Sequence, residues 1–517
     1  MFQLQPHKDQ ALKQKTQLLN FISKHKESAK PADSFLYKME RIFALWYNIP
    51  IMLKFYNTPD RKIEDFQPID PQNVKIYTCG PTVYATPHIG NWVAFIYWDI
   101  LVRTLRLNGY NVTRTMNITD VGHLVSDEDE GEDKLEKGAR REGKTAWEIA
   151  EFYTKEFLRG MHDLNLIQPD HLSKATDFIP EQIAIIEDLS KKGFTYETSD
   201  GIYFNTSKFP KYADFAHLDL ENLKAGARVN FNPEKRNLSD FALWKWSPKD
   251  QKRDMEWEFR GRMGFPGWHL ECSAIAINTL GQTIDIHTGG IDHIPVHHTD
   301  EIAQSESFTG KKFANYWLHC NHMTSEGRKI SKSLQNGFSL NDLQVRGFSP
   351  LDFKMFVMQS QYQTESNFSF ESLKAAQNRL KNWQNIANLR WQIEGSKGEI
   401  PSLASKQIIL EQINDNLDTP KALAKIDEIF SEILKANPEK LNHHNLQELL
   451  EFIDDLLGLN LLGSTPDIPE EIKKKIIERN AARAEKDWAK SDEIRDELLS
   501  KNIILRDTPR KSFWEYR

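Results

Sequence analysis

The sequence predicts an α/β protein, a parallel sheet interleaved with helices, followed by a helical bundle. Three observations carry this. An apolar, β-branched run ends in a glycine turn that opens a long helix, and a second strand-like run follows. After about residue 375 strand-like runs stop and helical periodicity takes over. The 517 residues leave room for two to four domains, each with its own core.

Composition narrows the class. Hydrophobic residues are 39% and charged residues 27%, which excludes a membrane protein, a collagen and a disordered chain. No apolar run reaches the roughly 18 residues that cross a bilayer; Asn48, Pro50 and Lys54 interrupt the stretch from Ile42 to Tyr56. The net charge of −7 does not exclude a nucleic-acid partner, since binding needs only a local basic face. Three cysteines, Cys79, Cys272 and Cys320, cannot staple a chain this long, so a reducing compartment is expected. The start carries no secretory pattern, and a bacterial-type cytoplasmic protein is the default expectation.

Residues 1–51 hold eight Lys/Arg against four Asp/Glu and no chemical motif. Lysine outnumbers arginine and acids are present, which argues against a transit peptide. The segment reads as a helical appendage or an over-called start, and is expected to be dispensable. Met52 opens a strand-like run, MLKFYNT. The run VKIYTC, Val74 to Cys79, reads as a buried strand that Gly80-Pro81 breaks. NWVAFIYWDILVRTLRLNGY reads as a helix ending near Gly109, and NVTRTMNITD as a second strand. That order makes one turn of a parallel α/β sheet. The run Asp127–Asp133 places six acids in seven positions. It fits no calcium-loop frame, because Gly131 as the sixth residue puts Ser126 first and Lys137 last, so it reads as a solvated loop. Past residue 375, LKAAQNRLKNWQNIANLRWQI, PKALAKIDEIFSEILKA and LQELLEFIDDLLGL read as bundle helices.

Three motifs carry chemistry. CGPTVYATPHIGN, Cys79–Asn91, puts a glycine turn between strand and helix, which aims backbone N–H groups and the positive helix end at a phosphate. His88 at that turn suits charge developing on a phosphoryl oxygen, or simply caps the helix. EGRKISKS, Glu326–Ser333, carries Lys329 and Lys332 on a loop that suits a polyphosphate. The third is PGWHLECSAIA with GGIDHIPVHHTDEIAQSE. His297 and Glu301 are four apart in a run that reads as a helix and so share a face. With Cys79 and Cys272 they offer two thiolates, an imidazole and a carboxylate, a sensible set for Zn²⁺. Cys320 lacks such context and reads as packing.

His88-Ile89-Gly90-Asn91 and Lys329-Ile330-Ser331-Lys332-Ser333, about 240 residues apart, resemble the HIGH and KMSKS pair of class I aminoacyl-tRNA synthetases. YTCGPTVYATPHIGN, MNITDVGHL, GARVNFNPEKRNLSDFALWK, PGWHLECSAIA, GGIDHIPVHHTDEIAQSE, EGRKISKS and DWAKSDEIRDELLSKNIILRDTPRKSFW make the resemblance specific to the cysteinyl-tRNA synthetase family, in the family's order over about nine-tenths of the chain. Two places depart from the pattern: Asn91 stands for the last histidine of HIGH, and GHLVSDEDEGE looks like an insertion.

The resemblance implies a Rossmann-like parallel-sheet catalytic domain with an inserted subdomain, a helical bundle and a small C-terminal anticodon-binding domain. The expected boundaries are an N-terminal extension at 1–51, catalytic halves at 52–178 and 267–314, a connective insertion at 179–266, a stem-contact region with the KISKS loop at 315–374, the bundle at 375–470 and the anticodon region at 471–517. It implies ATP-dependent activation of L-cysteine and transfer to the 3′ end of tRNA(Cys). It assigns ATP and catalysis to His88, Gly90, Asn91, Lys329 and Lys332, with Mg²⁺ accompanying the ATP. It assigns the substrate pocket to Thr82, Trp268 and Asp292, and one Zn²⁺ to Cys79, Cys272, His297 and Glu301 but not His298. A soft metal would select cysteine over serine, which shape separates by only about 1–3 kcal/mol, and the insertion is short for an editing domain. Anticodon contacts fall on Arg483, Trp488, Asp492 and Asp507. Residues 471–517 carry thirteen Lys/Arg against ten Asp/Glu, with Trp488 and Trp514 as stacking surfaces. A monomer is expected. Two other readings are a cysteine-activating ligase that uses an amino-sugar and a non-catalytic RNA-binding paralogue; the tail weighs against the first, and His88, Lys329 and Lys332 against the second.

Overall fold

The computed structural model describes residues 52–122, 134–219, 232–248, 253–330, 336–393, 398–437, 440–507 and 512–516. The acidic run Asp127–Asp133, Lys332 and the whole N-terminal extension, residues 1–51, lie outside the described residues. Lys54–Arg517 form one compact unit.

A hairpin of β1 (Lys54–Asn57) and β2 (Lys62–Asp65) precedes β3 (Val74–Thr78), a central strand buried on both faces. Helix α1 (Ile89–Leu107) follows, and Gly109 at φ +83 turns the chain where a side chain would be strained. β4 (Val112–Ile118) returns parallel to β3, which completes the expected strand–turn–helix–strand unit. After α2 (Lys134–Glu142) and α3 (Ala146–Asp163), β5 (His171–Lys174) extends the sheet beside β4.

Next come α4 (Ile179–Lys191) and an antiparallel sheet of β6 (Thr195–Glu197), β7 (Gly201–Phe204), β8 (Phe241–Trp246), β9 (Trp257–Phe259) and β10 (Arg262–Pro266), ordered β6-β7-β8-β10-β9. Ile186, Leu189, Phe204, Trp244 and Phe259 belong to the core beneath it. The chain then re-enters the main sheet through α5 (Trp268–Leu280), β11 (Ile284–Gly290), α6 (Thr299–Thr309) and β12 (Ala314–Cys320).

The five parallel strands lie in the order β12-β11-β3-β4-β5. Between β3 and β11 the order reverses. The crevice beyond their C-terminal ends is the switch point where α/β sheets bind ligands. Cys79 follows β3 there, and Gly289-Gly290 end β11.

β13 (Met323–Ser325) and β14 (Arg328–Lys329) form a hairpin, α7 (Leu340–Val345) and α8 (Pro350–Met358) follow, and β15 (Ser366–Phe368) pairs with β13. The expected bundle is α9 (Phe370–Asn388), α10 (Ser405–Asn414), α11 (Thr419–Lys435) and α12 (His443–Leu457). In α11, Leu423, Ile426, Phe430 and Ile433 recur at three and four residues and are buried. At the end, α13 (Glu470–Ala484) and α14 (Trp488–Ser500) pack with the ribbon β16 (Ile503–Asp507) and β17 (Ser512–Tyr516) around Ile472, Ile494, Leu498 and Trp514.

A buried charge cluster joins sheet and bundle. Asp99 of α1 accepts from Arg103 Nε at 2.7 Å and from Lys354 Nζ of α8 at 2.9 Å. Arg103 also donates to the carbonyls of Asn165, Asp454 and Asp455, and Lys354 to that of Gly458. Gly458 ends α12 at φ +61, and a Cβ there would lie 2.6 Å from Lys354 Nζ, so a side chain would have to displace the charged groups. Burial opposes the Asp99 charge, but Lys354 and Arg103 outweigh it and hold the carboxyl below its usual range. Burial drags the Lys354 ammonium down to about 8, because one carboxylate serves two cations. Replacing Lys354 with methionine should therefore cost about 3 kcal/mol, as when one partner of a buried pair is removed. The check is the urea midpoint at pH 7; an unmoved midpoint means that the cluster adds no net stability.

Candidate active site

The two distant motifs meet. The His88 N–H donates to Asn91 Oδ1 at 3.0 Å, so Asn91 closes the first turn of α1 and keeps its NH₂ as the donor end. The Ile89 N–H donates to the Phe338 carbonyl at 2.7 Å, and His88 bridges Ser339 in an antiparallel pair. A Cβ at Gly90 would sit 3.2 Å from Ile330 Cδ1, so this glycine lets the KISKS segment approach. Glu326 and Gly327, both at positive φ, make the tight turn that presents Lys329, which is exposed on β14. Lys332 lies outside the described residues.

At the switch point one ligand atom from each of Cys79, Cys272, His297 and Glu301 falls within 4.8 Å of the others, so these four could hold a metal. Two further sets also meet this condition, Cys79 with His293, His297 and His298, and Cys79 with His287, His298 and Glu301. The run expected as one helix explains the overlap. Ile294–His298 form a wider π turn before α6 begins, and both histidines are buried there. His298 Nε2 lies 3.4 Å from Cys79 Sγ, so the structure does not turn His298 away from the cluster.

The donor chemistry suits a borderline-soft cation. Glu301 Oε1 lies 2.9 Å from His297 Nε2 yet is buried without a hydrogen-bond partner, as when two groups aim at a third atom between them. Burial opposes the Glu301 charge, but His287 and His297 outweigh it and hold the carboxyl down to about 2. Hydrogen bonding to Cys79 holds the Cys272 thiol down against burial, while burial and Cys272 push the Cys79 thiol well up. Burial opposes a charge on His297, but Glu301 and Cys272 outweigh it and raise the ring well above its usual value; burial and the surrounding histidines push His298 well below. Cys320 is buried apart from this set, and burial pushes its thiol up to about 12.

Trp268, the first residue of α5, lies over His297 with ring centroids 4.4 Å apart. Asp292 is exposed, and a Cβ on Gly290 would meet its carboxylate at 2.3 Å. Thr82 bridges Thr119, which fixes the loop after Cys79 on the end of β4. Sequence reasoning passed over His269, His287 and His319. His287 Nε2 meets Glu301 Oε2 at 2.9 Å and its ring stacks on Trp317; His319 lies 2.7 Å from His298 Nδ1. The available signal was density: six of the chain's 16 histidines fall between positions 269 and 319.

In the C-terminal module Trp488 is 58% exposed at the start of α14, and Asp492 is exposed on the same helix. Asp507 accepts both arms of Arg479 at 2.8 Å and pairs with Arg483, so these two expected base contacts also lock the ribbon to α13. Trp514 is not a stacking surface. Its ring is 4% exposed in the module's core, and its backbone bonds to Gln392 of the bundle, because its strand position points inward.

Residues 65–378 match the family model of the tRNA synthetases class I (C) catalytic domain, and residues 465–514 that of the cysteinyl-tRNA ligase anticodon binding domain. A cysteine–tRNA ligase of Burkholderia lata is 43% identical over 88% of this chain and 95% of its own length. One from Treponema denticola is 41% identical over 90% and 99%. Among solved structures, Mycobacterium tuberculosis methionyl-tRNA synthetase bound by methionyl-adenylate superposes with a TM-score of 0.55 at 15% identity, over 75% of this chain and 93% of that one; this likeness speaks for the fold alone. A parallel sheet that carries a four-donor cluster at its switch point and joins a HIGN turn to a KISKS segment therefore has sequence relatives along nearly its whole length, and the chain belongs to the cysteine–tRNA ligase family of class I tRNA synthetases.

Proposed function

We propose that this protein is a cysteine–tRNA ligase that activates L-cysteine with ATP and Mg²⁺ and transfers it to the 3′ end of tRNA(Cys). One observation carries the reading: two thiols, an imidazole and a carboxylate converge at the same end of the sheet as the paired HIGN and KISKS motifs. Cys79, Cys272, His297 and Glu301 would hold one Zn²⁺. When bound, zinc supplies a soft Lewis acid that prefers a thiolate to a hydroxyl. His88, Gly90 and Asn91 at the helix end face the phosphates, and Lys329 and Lys332 close on the leaving pyrophosphate, so that positioning and charge stabilisation dominate both steps. Thr82, Trp268 and Asp292 shape the amino-acid pocket.

The reading takes the enzyme as a cytoplasmic monomer. Among the described residues no helix is long and apolar enough to cross a membrane. It divides the chain into catalytic halves at 52–178 and 267–314 around an insertion at 179–266, then a stem-contact region, a bundle from 375 and an anticodon region from 471. The match at 465–514 to an anticodon binding domain weighs against an amino-sugar acceptor.

Charging of total tRNA with cysteine, but not with serine, should depend on zinc. Cys272→Ala and His297→Ala should lower zinc content and cysteine-dependent pyrophosphate exchange together by at least tenfold, whereas Cys320→Ser should keep both. Elemental analysis and exchange on one preparation decide it; full exchange by a zinc-free protein would sink the metal assignment.

Trp488 is largely exposed and stands outside the module's buried cluster among the described residues. A base stack is worth about 1–3 kcal/mol, so Trp488→Ala should raise KM for tRNA about fivefold or more while exchange stays intact. Equal loss of both activities would make Trp488 structural support, and no loss would remove it from the anticodon contacts. A chain that starts at Met52 should charge tRNA at the full rate; a large loss in the same assay would assign the extension a role in tRNA binding.

A further inference from the structure

We infer that His269, held by Asp300, fixes which nitrogen of His297 carries its proton and thereby decides whether the site can hold its metal; the inference rests on the zinc reading. One polar path runs behind the cluster. Tyr212 Oη donates to Asp300 Oδ1 at 2.6 Å. His269 Nε2 lies 3.3 Å from Asp300 Oδ2, and His269 Nδ1 lies 2.9 Å from His297 Nδ1. The far nitrogen of His297, Nε2, faces Glu301 Oε1 in the cluster.

A contact between two imidazole nitrogens holds one proton, so one ring donates and the other accepts. The Asp300 carboxylate can only accept, which places the His269 proton on Nε2 and leaves a lone pair on Nδ1. His297 must then donate from Nδ1, so Nε2 is the nitrogen that gives up its proton and presents a lone pair when the cluster takes a metal. The opposite arrangement puts a proton on His297 Nε2 and removes it as a ligand. Ligating histidines commonly donate their other N–H to a carboxylate or carbonyl. Here a second ring stands between, and the carboxylate acts through it.

The path is closed to solvent. His269 and Asp300 are each 1% exposed, and Tyr212 is buried. The carbonyl of His269 accepts from Gln304 Nε2 of α6 at 2.6 Å, which fixes the two helices that carry the path. The Trp268 ring packs on that of His297, 4.4 Å between centroids. His269, Asp300 and Tyr212 are thus positioning residues, and none of them is among the four donors.

The test uses the full chain and chelator competition for Zn²⁺, with the visible spectrum of the Co²⁺-substituted protein as a second readout. Asp300→Asn keeps the shape but can turn its NH₂ toward His269, which reverses both rings. Zinc affinity should fall about 10–100-fold, with the melting temperature recorded alongside. His269→Asn places an amide oxygen near the position of Nδ1 and accepts from His297 without help from Asp300. That variant should bind zinc nearly as the wild type does, and the double variant His269→Asn/Asp300→Asn should recover the affinity lost in Asp300→Asn. A purely structural role predicts the reverse, a double variant at least as weak as Asp300→Asn, and that result overturns the inference. So does wild-type affinity in Asp300→Asn. If Asp300→Asn fails to fold, a His269→Asn protein that loses zinc overturns it equally. A wild-type chain that takes up no zinc, or a Cys272→Ala chain that binds as tightly as the wild type, overturns the zinc reading itself and the inference with it.

Discussion

The pairing of β3 with β11 is the constraint on which the site depends. Thr78 lies in register with Thr288, and the Cys79 N–H donates to the Thr288 carbonyl at 3.3 Å. That register sets Cys79 beside Gly289-Gly290 and the turn that carries His297 and His298. A Cβ at Gly289 would lie 2.6 Å from the His298 ring, so the strand end must be bare for the histidines to fold back over it. The intervening insertion folds on its own antiparallel sheet and leaves the pairing undisturbed. Lengthening a connection adds little to the entropy of closing it, which is why two halves so distant in sequence can share one sheet.

Much of this was legible in the sequence because periodicity and turn chemistry are local. β3, α1 and β4 follow from runs that are apolar on the buried faces and end at Gly80-Pro81 and Gly109. The helices after residue 375 follow from apolar residues at three- and four-residue spacing. The site was legible in its parts, since HIGN, KISKS and the two cysteine segments each carry a chemical signature. Their convergence was not. Spacing cannot place Cys79 beside residues about 200 positions away; only the sheet order does.

The remaining misses have particular causes. HIPVHHTDE reads as a regular helix, on which His297 and His298 would diverge by about 100°. The π turn fits more residues into each turn and so narrows that angle, and both rings reach the cluster. His269 and His287 carry no motif of their own, and their contacts to His297 and Glu301 come from packing between helix and strand. Trp514 looked like a stacking surface because an aromatic in a basic tail has no visible partner in sequence; its partner is the bundle, through Gln392. Asp507 shows the same limit from the other side. Its pairing with Arg479 and Arg483 holds its carboxyl well below the usual range, so it holds the module's shape whatever else it meets.

Helix α1 connects these levels. Its first turn carries His88 and Asn91 and is stitched to Phe338 and Ser339 beyond the KISKS segment. One face carries Trp92, which stacks on Phe157 of α3 at 5.2 Å and lies so near Gly160 that any side chain there would collide. Its later turns carry Asp99 and the Arg103 it pairs with, and Arg103 reaches the C-terminal end of the bundle helix α12. A single helix of 19 residues is therefore held at one end by the HIGN turn and the segment after KISKS and toward the other by the bundle that supports the C-terminal module. Buried charge pairs are weak contributors to stability unless they also specify geometry. Here the geometry specified is the angle of the helix whose N-terminus carries the HIGN turn, which gives the Asp99–Arg103–Lys354 cluster a reason to be charged rather than apolar.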